Sequence, residues 1–480
     1  MRPTRHFSLI LIVVLLIFPA SGAAAETRTQ ASPAPGATYP IDLATALRLA
    51  GANGVDVQIA RERLLAAKAN ATSAVTQFLP WLSASANYRR HGGLIQDVVG
   101  NIVESDKASY TLGGAINLQV DVGDAYFRTL AARQTSHAAE QGLEAQRQET
   151  LVRAAQAYFD LLVAQAVVGV AGQALQISQD YESQLHRAVD AGIALKGDEL
   201  RVRVQTRRNQ LSLQQATEQR RILAARLAEA LRLDPAVELV GQDLELAPSA
   251  LVTDTEAVDA LVSEALAARP ELKEAQALLQ VAEKTEKGAV YGPLVPTVGG
   301  QAFFGALGGG KDNGPTTFGG SRDYVAAVGW RVGPGGLFDV GRMRSTRARR
   351  EEARWNVEKL KDSVARQVVE ARTRALSQHE QLETAKDALT VAEQGLELAR
   401  GRKEFEVGVV LENILAEQDQ TRARQDYARA LGEYEKAQYG LSRALGRLGK
   451  QIPGEGATSG RAGGDGCAAR GALLGFRRRP

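Results

Sequence analysis

Apolar residues recur at alternating intervals of three and four along much of the chain. The clearest series are Leu382, Ala385, Leu389, Ala392, Leu396 and Ala399; Val163, Val167, Val170, Ala174, Ile177 and Tyr181; and Tyr427, Leu431, Tyr434, Gln438, Leu441, Leu445 and Leu448. A strict 3.5-residue repeat predicts helices packed as left-handed coiled coils. Alanine at alternate positions predicts a close approach of the helix axes.

Two of the predicted helices are unusually long. Residues 126–191 and 342–407 contain no proline. At a rise of 1.5 Å per residue, each helix is about 100 Å long. Helices of this length depend on packing rather than on propensity, so we expect partners along their whole length, within the chain or in an oligomer.

Four other segments alternate with a period of two. Their apolar positions are Leu82, Ala84, Ala86 and Tyr88; Ile116, Leu118 and Val120; Val298, Ala302 and Phe304; and Tyr324, Ala326, Val328, Trp330 and Val332. This alternation predicts strands with one apolar and one polar face. A membrane-embedded strand and a soluble sheet packed on a helix both fit the pattern. Aromatic residues cluster at these segments, as they do at membrane interfaces.

A long unit occurs twice, with an offset of about 216 residues. Matching positions include Ala60 with Ala275, Val152 with Val368, and Gly192 with Gly408. Each unit predicts a helix, a strand pair, a very long helix, a short turn and a last helix. We expect a first repeat at 41–234 with strands at about 81–121, an inter-repeat linker at 235–255, a second repeat at 256–449 with strands at about 294–332, and a disordered C-terminal tail at 450–480.

The N-terminus resembles an export signal. Arg2 and Arg5 precede an apolar run from Leu9 to Phe18, and small residues come before Glu26. We therefore expect a signal peptide at 1–25, followed by an N-terminal linker at 26–40. No later segment has the ~18 apolar residues of a membrane-spanning helix, so entry into a membrane is expected through strands.

The number of strands predicts an oligomer. Four strands cannot close a barrel, and open sheet edges are not tolerated in lipid. Three chains supply about twelve strands, which is within the range of known membrane barrels. Membrane strands and long helices therefore both indicate self-association.

Composition excludes several function classes. The chain has 58 basic and 55 acidic residues, a net charge of +3 that argues against nucleic-acid binding. It has one cysteine and five histidines, none paired at ligand spacing, so we expect no disulfide and no metal site. No nucleophile motif is present. We therefore expect neither an enzyme nor a cofactor.

The order of the motifs resembles the TolC-like outer-membrane efflux family. Phe78-Leu79-Pro80 and Leu294-Val295-Pro296 precede the strands, while Asp121-Val122-Gly123-Asp124 and the segment from Trp330 to Arg342 (W-R-V-G-P-G-G-L-F-D-V-G-R) follow them. The resemblance covers residues 41–449. It implies a mainly α fold with a transmembrane β portion, built from a duplicated helix–β-hairpin–long helix–helix unit. Three copies would form an α/β barrel with twelve strands and a twelve-helix periplasmic coiled-coil tunnel.

The resemblance also implies a function and partners. Such a homotrimer is the outer-membrane channel of a tripartite efflux or type I secretion system, contacting lipid, a periplasmic adaptor (membrane fusion) protein and an inner-membrane pump. In this family the helix–turn–helix tips close the channel and dock the adaptor. The corresponding residues here are Gly192, Asp198, Gly408, Val410, Glu412 and Glu417.

Asp198 is the principal gate candidate, since the family often has an aspartate six residues after the first tip glycine. Three copies around an axis would attract cations; a helix N-cap is the alternative role. Ile414 occupies the equivalent position in the second repeat, and the apolar loop after Gly408 has no arginine for a closing ion pair. A coiled-coil scaffold that never enters a membrane is the alternative function.

Overall fold

The computed structural model describes residues 38–242, 256–311, 317–404 and 410–448. The expected signal peptide, most of the N-terminal linker, part of the inter-repeat linker, Gly408 and the C-terminal tail lie outside these residues.

Helices dominate the described chain, with strands at two places in each repeat. The helices are α1 (Leu43–Asn53), α2 (Val55–Thr76), α3 (Val122–Asp190), α4 (Lys196–Leu231), α5 (Val258–Ala268), α6 (Pro270–Tyr291), α7 (Val340–Glu404) and α8 (Val410–Ala444). The strands are β1 (Thr38–Ile41), β2 (Trp81–His91), β3 (Leu94–Gln96), β4 (Ile102–Glu104), β5 (Lys107–Asp121), β6 (Glu238–Gly241), β7 (Thr297–Lys311) and β8 (Thr317–Gly329).

The two long helices have partners within the chain. Helix α3 has 69 residues, which corresponds to about 104 Å. It packs along α2, α4, α6 and α8, while α7 packs along α5, α6 and α8. The prediction of long helices supported along their length is therefore confirmed.

Most of the buried seam of α3 lies one residue away from the predicted one, although Tyr181 of the predicted seam is buried. Ala164, Ala171, Ser178 and Leu185 are buried at intervals of seven, whereas Val163, Val170 and Ile177 are only half-buried. Helix α3 packs against both α4 and α8, so its apolar stripe is wider than one seam and its small residues occupy the tightest contacts. In α7 the predicted seam is correct, since Leu382, Leu396 and Ala399 are buried.

The main core lies midway along the helices. Tyr158, Phe159 and Leu161 of α3 are almost fully buried there with Leu227 and Leu231 of α4. A small parallel sheet closes this core, because β1 pairs with β6. Two segments expected to be linkers thus pair as strands, and β6 packs against α3 and α4 of the first repeat.

Helix α3 is also long and apolar enough, by length and composition, to cross a membrane, and it alone meets that test among the described helices. The expectation that no later segment would do so is therefore wrong. Its bulky apolar residues enter the core described above, and α2, α4, α6 and α8 pack along it. Packing within the chain accounts for its apolar character.

The four long strands form one antiparallel sheet in the order β2-β5-β7-β8. The hairpin β3–β4 extends from the end of the sheet that is remote from the helices. Strand β8 ends at Gly329, three residues before the predicted end of the second strand region, because the chain turns through a glycine-rich segment where Val332 bridges to Leu337.

Candidate functional site

The register of the sheet separates its side chains into two faces. Odd-numbered residues of the four strands share one face, which we call the polar face, and even-numbered residues share the other, the apolar face. On the polar face, Asn117 donates to Ser83 Oγ at 2.8 Å and accepts from Gln301 Nε2 at 2.9 Å. This side-chain ladder crosses three strands. The polar face is less regular on β7 and β8, where Phe303, Leu307 and Val325 interrupt it.

The apolar face is exposed. Leu82 is 80% and Tyr324 68% accessible, and Ile116 and Phe304 are also exposed. A soluble sheet packed on a helix would have this face buried, so that alternative is wrong for the strands described. A continuous exposed apolar surface that extends over four strands requires a nonpolar partner.

Aromatic residues lie near both ends of the apolar face. Tyr88, Tyr110 and Phe318 lie in one transverse row at the end remote from the helices, and the Tyr88 and Tyr110 rings are 4.9 Å apart. Trp330 lies near the helical end and donates to the Leu294 carbonyl at 3.1 Å. Ten residues of β5 separate the Tyr110 row from the Val120 row. At a tilt of about 40°, ten residues span about 26 Å, which matches the apolar band of membrane barrels.

Two arginines break the apolar face. Arg90 lies at its remote end and forms a two-bond pair with Asp106, at 2.8 and 3.2 Å. Arg322 lies near mid-height, in the row of Gly114 and Phe304, and forms no ion pair with the described residues. Its position on the edge strand β8 adjoins an open sheet edge.

The junction between sheet and helices is tightly packed. A side chain at Gly123 would place its Cβ 2.2 Å from the Gly292 carbonyl oxygen, so only glycine fits where α3 begins. Asp339 accepts the Arg342 amide at 2.8 Å and caps α7. Asp339 also accepts a hydrogen bond from the Gly335 amide, and the two hydrogen bonds lower the pKa of the Asp339 carboxyl.

Five arginines follow the last strand, namely Arg342, Arg344, Arg347, Arg349 and Arg350, and two of them form ion pairs with other helices of the chain. Arg342 pairs with Asp124 at 2.9 Å, and Arg350 pairs with Glu286 at 2.9 Å. These arginines therefore tie α7 to α3 and α6.

At the opposite end of the helices, Gly192 ends α3. Its φ of +73° is in the left-handed region that glycine adopts without strain. The Gly192 amide donates to Val189 and the Ile193 amide to Ala188, which is the glycine-terminated helix end that the sequence predicts. Ile193 and Leu195 in the turn are 82% and 74% exposed, so the first tip is apolar as well.

Behind this turn lies a small core that joins the two tips. Tyr181 and Leu185 of α3, Val202 of α4 and Ile414 of α8 are buried together. Ile414 and Asp198 are repeat equivalents with different roles, because Ile414 packs in this core and Asp198 is partly exposed.

Glu199 is the centre of a charged cluster at the tip. Its side chain is fully buried and accepts from Lys196, from Arg203 at 3.1 Å, and from His186 Nδ1 at 3.1 Å. Lys196 contributes most to lowering the pKa of Glu199, against the opposing effect of burial. The cluster joins the end of α3 to the first turns of α4.

Asp198 lies beside this cluster. It is the third residue of α4, not its N-cap, which is Leu195, so the N-cap alternative is wrong. Asp198 pairs with Arg201 at 3.0 Å. Burial, followed by the charges of Glu417 and Asp198, raises the pKa of Tyr181, so these acids face one tyrosine.

The other candidates lie at the start of α8. Val410 is its first residue and Glu412 belongs to its first turn. Glu417 lies 3.9 Å from Arg400 of α7. Asp198 and Glu417 therefore share an electrostatic influence on Tyr181, while Gly408 is outside the described residues.

Comparison with known proteins decides the family. A family model described as outer membrane efflux protein matches residues 46–231 and 261–447. The chain belongs to the outer membrane efflux protein family. No curated protein matches it.

Solved structures of outer membrane channels and of another outer membrane protein share the fold. The Campylobacter jejuni CmeC outer membrane channel is 15% identical, with a TM-score of 0.70, covering 84% of this chain and 85% of that one. VceC from Vibrio cholerae is 18% identical, with a TM-score of 0.68, covering 84% and 96%. The Neisseria gonorrhoeae MtrE outer membrane channel is 17% identical, with a TM-score of 0.65, covering 85% and 89%.

Membership of the family indicates where the two ends of this outer membrane efflux protein lie in the cell. The apolar-faced sheet belongs in the outer membrane, and the helices lie on its periplasmic side. The predicted family, fold class and localisation are therefore confirmed, and the scaffold alternative is not supported.

Three features were missed at the sequence level. Glu199 is adjacent to the candidate Asp198, yet its burial depends on how α3 and α4 pack. The exposed Ile193 and Leu195 flank the turn that Gly192 begins, and two isolated aliphatic residues beside a turn glycine were an available signal. The third is a row of basic residues on the polar face, including Arg89 and Lys107, whose alignment depends on hairpin register.

Proposed function

We propose that this protein is a passive exit duct from the periplasm to the cell exterior, acting as the outer-membrane component of a tripartite efflux or type I secretion system. The observation that carries the proposal is the exposed apolar face of the sheet, bordered by aromatic residues and opposed by a polar face. A sheet with these two faces suits a wall between lipid and water.

The duct is a homotrimer. The sheet has free edges at β2 and β8, and such edges are not tolerated in lipid. Pairing β8 of one protomer with β2 of the next closes twelve strands into a barrel. The repeats 41–234 and 256–449 each supply two of a protomer's four strands, and their long helices continue the duct as a twelve-helix tunnel.

The periplasmic tips form the closed end and the docking surface. Its proposed pore and docking residues are Gly192, Asp198, Gly408, Val410, Glu412 and Glu417, with Asp198 as a threefold ring that attracts cations. The exposed apolar Ile193 and Leu195 suit contact with the tips of a periplasmic adaptor protein, which connects the duct to an inner-membrane pump. A passive duct needs neither a catalytic group nor a cofactor, and the pump selects the cargo.

Reconstitution in planar lipid bilayers tests the duct. Purified protein is expected to produce stepwise increases in ion conductance. Boiled protein is the control, because boiling removes the fold and leaves the composition unchanged. Bilayers that stay insulating with folded protein would contradict the proposal.

Asp198→Ala tests the ring. Loss of three acidic groups at the narrow end is expected to reduce the preference for cations, measured as the reversal potential in a salt gradient. Asp259→Ala removes an exposed carboxylate from α5, far along the chain from the tips, and is the control. An unchanged reversal potential in Asp198→Ala would remove Asp198 from the ring while leaving the duct intact.

A further inference from the structure

The loop that joins the sheet to α7 holds an exposed phenylalanine in a strained backbone conformation. Phe338 has a φ of +64°, and its side chain is 80% exposed. The left-handed region is unfavourable for a bulky residue, and an aromatic ring exposed to water gains nothing from folding. A glycine at this position would avoid both penalties. Such an outlier is therefore the starting point for a functional hypothesis.

Hydrogen bonds on both sides of the loop hold Phe338 in this position. The Leu337 amide donates to the Arg331 carbonyl at 2.8 Å, and the Gly333 amide donates to the Leu337 carbonyl at 2.9 Å. The Gly336 amide donates to the Gly333 carbonyl at 2.9 Å. The residue next to Phe338 is thus fixed by two backbone hydrogen bonds, so the fold itself exposes the ring.

The loop continues the apolar face of the sheet at its periplasmic end. It follows directly on Trp330, whose indole is fixed by its hydrogen bond to the Leu294 carbonyl. Val332 and Val340, on either side of Phe338, are exposed as well. Since the apolar face contacts lipid in the proposed duct, the same lipid surrounds this loop at the level of the headgroups, where aromatic rings are favoured.

The parts of the helices nearest to the sheet have an excess of basic residues. Among the described residues, 70–80, 121–133, 282–294 and 331–352 lie within about 18 Å of the sheet along the helices. These ranges contain ten basic and seven acidic residues, and every acid is counted whether or not it forms a hydrogen bond. The excess is therefore three positive charges per protomer, and the threefold axis of the proposed duct multiplies it by three.

Three arginines at the start of α7 are free to bind a partner outside the chain. Arg344, Arg347 and Arg349 are exposed and form no ion pair with the described residues, whereas the other two arginines of this turn region pair with acids of α3 and α6. Successive residues of a helix are rotated by about 100°, so the three side chains are spread around the exposed circumference of α7. At least one of them therefore faces the outside of the tunnel.

We propose that Trp330, Phe338, Arg344, Arg347 and Arg349 form a collar that binds anionic phospholipids of the membrane leaflet facing the periplasm. This inference rests on the proposed duct. The aromatic rings lie among the acyl chains next to the headgroups, and the guanidinium groups bind the lipid phosphates through charge-assisted hydrogen bonds. The attraction between a basic surface and anionic lipid holds the duct at a fixed depth in the membrane.

Fluorescence quenching by brominated lipid tests the position of Phe338. The variant Phe338→Trp, combined with Trp81→Phe, Trp330→Phe and Trp355→Phe, is reconstituted into vesicles of phosphatidylcholine brominated near the headgroup end of its acyl chains. We expect it to lose most of the fluorescence that it has in unbrominated vesicles. The matched control keeps Trp355 as its single tryptophan. Trp355 lies about 22 Å along α7 from its first residue and should remain unquenched.

Selectivity for anionic lipid tests the arginines. With Trp330 as the single tryptophan, a small fraction of brominated phosphatidylglycerol is expected to quench about fivefold more effectively than the same fraction of brominated phosphatidylcholine, which is the effect of one arginine near an anionic surface. Added salt is expected to reduce this difference. The triple variant Arg344→Gln/Arg347→Gln/Arg349→Gln is expected to abolish it.

Arg207→Gln/Arg208→Gln/Arg221→Gln is the matched control. It removes the same number of positive charges from exposed positions of α4 that form no ion pair with the described residues. Asn209, next to two of them, donates to the Ala174 carbonyl, about 78 Å along α3 from its first residue. The lipid selectivity of this variant is expected to equal that of the unmodified protein.

The outcomes separate the collar from the duct. Equal selectivity in the two triple variants would overturn the arginine site. An unquenched Phe338→Trp beside a quenched Trp330 would overturn Phe338 as a lipid contact and indicate that its ring meets the lumen or a neighbouring protomer, with the duct left in place. An unquenched Trp330 would overturn the duct and the collar together.

Discussion

Asp124 and Arg342 occupy equivalent positions in the two repeats and bind each other. Each is the last residue of a D-V-G-x motif at the start of a long helix, and Arg342 Nη2 donates to Asp124 Oδ1 at 2.9 Å. The two copies of the motif differ at the last position, which is acidic in the first repeat and basic in the second. These opposite charges form an ion pair between the repeats. The pair ties α3 to α7 where the sheet meets the helices.

Breaking this pair should destabilise the junction. Arg342→Ala leaves the partly buried Asp124 without its cation, and we expect a loss of about 1–2 kcal/mol in the free energy of unfolding. Thermal unfolding of the detergent-solubilised protein measures it. Arg344→Ala, which removes an exposed arginine two residues away, is the control and should have little effect. Equal losses in both variants would show that the pair does not stabilise the junction.

Acid should loosen the first tip through Glu199. Its folded-state pKa is lowered by Lys196 and His186, so its stabilising effect is fully present above its unfolded pKa of about 4.3 and is lost as the pH falls through the lowered folded value. Amide hydrogen exchange across residues 186–203, corrected for the intrinsic pH dependence of exchange, should accelerate in that acidic range.

Glu199→Gln should reproduce this loosening at neutral pH, because the amide cannot balance Lys196, Arg203 and His186. Glu218→Gln, an exposed change farther along α4, is the control. Unaltered exchange at the tip in Glu199→Gln would rule out the buried carboxylate as the group that holds it.

The pKa of Glu274 is shifted in the opposite direction from that of Glu199. Burial, followed by the charge of Glu271, raises its pKa, so ionisation is disfavoured in the folded state. Its contribution to stability is fully present below its unfolded pKa and is lost as the pH rises through the raised folded value. We expect Glu274→Gln to increase stability at pH 7 by up to about 1 kcal/mol, and to have little effect at about pH 4.

Melting temperatures at the two pH values measure this difference. The exposed Glu352→Gln should shift neither melting temperature. Destabilisation of Glu274→Gln at neutral pH would contradict the assignment of Glu274 as a carboxylate that burial penalises.

Arg322 tests which face of the sheet meets lipid. An arginine at mid-height on a lipid-facing strand costs about 2–4 kcal/mol in membrane barrels. Arg322→Leu is therefore expected to stabilise the protein folded into lipid vesicles, by about 2 kcal/mol in the free energy of unfolding measured with urea.

Ser321→Leu provides the comparison, since it introduces the same side chain on the polar face of the same strand. We expect no gain there, because a leucine facing water buries no surface. A loss of stability in Arg322→Leu would instead indicate that Arg322 contacts a neighbouring protomer across the sheet edge.

Much of this fold could be predicted from periodicity. A 3.5-residue repeat and a two-residue repeat specify different elements, and the long helices and the four long strands lie close to the predicted ranges. The seam of α3 was predicted one residue away from its buried position, because periodicity gives the spacing of a stripe but not which of two neighbouring helices it faces. The pairing of β1 with β6 joins segments about 200 residues apart, and no local pattern predicts it.

At the candidate site, the sequence predicted only those features that depend on the conformation of a single stretch of backbone. The turn at Gly192 was predicted correctly, because a left-handed helix end depends on the local backbone. The Asp198 N-cap was wrong because the helix begins three residues earlier, at a turn without a capping side chain. Glu199 and the row of His91 and Lys107 depend on contacts between elements, which the register of packing decides. Ile414 was identified as the repeat equivalent of Asp198, and the structure adds that it packs in the tip core.

If the barrel closes between protomers, β8 of one protomer lies beside β2 of the next, and disulfide crosslinking can detect this pairing. In a Cys467→Ser background, Ser321→Cys on β8 is combined in turn with a cysteine at Ser83, Ser85 or Asn87 on β2. Within one chain these edges are three strand spacings apart, about 14 Å, too far for a disulfide. Disulfide-linked trimers are expected in intact outer membranes for at least one combination, whereas monomers alone in every combination would show that the two edges do not meet.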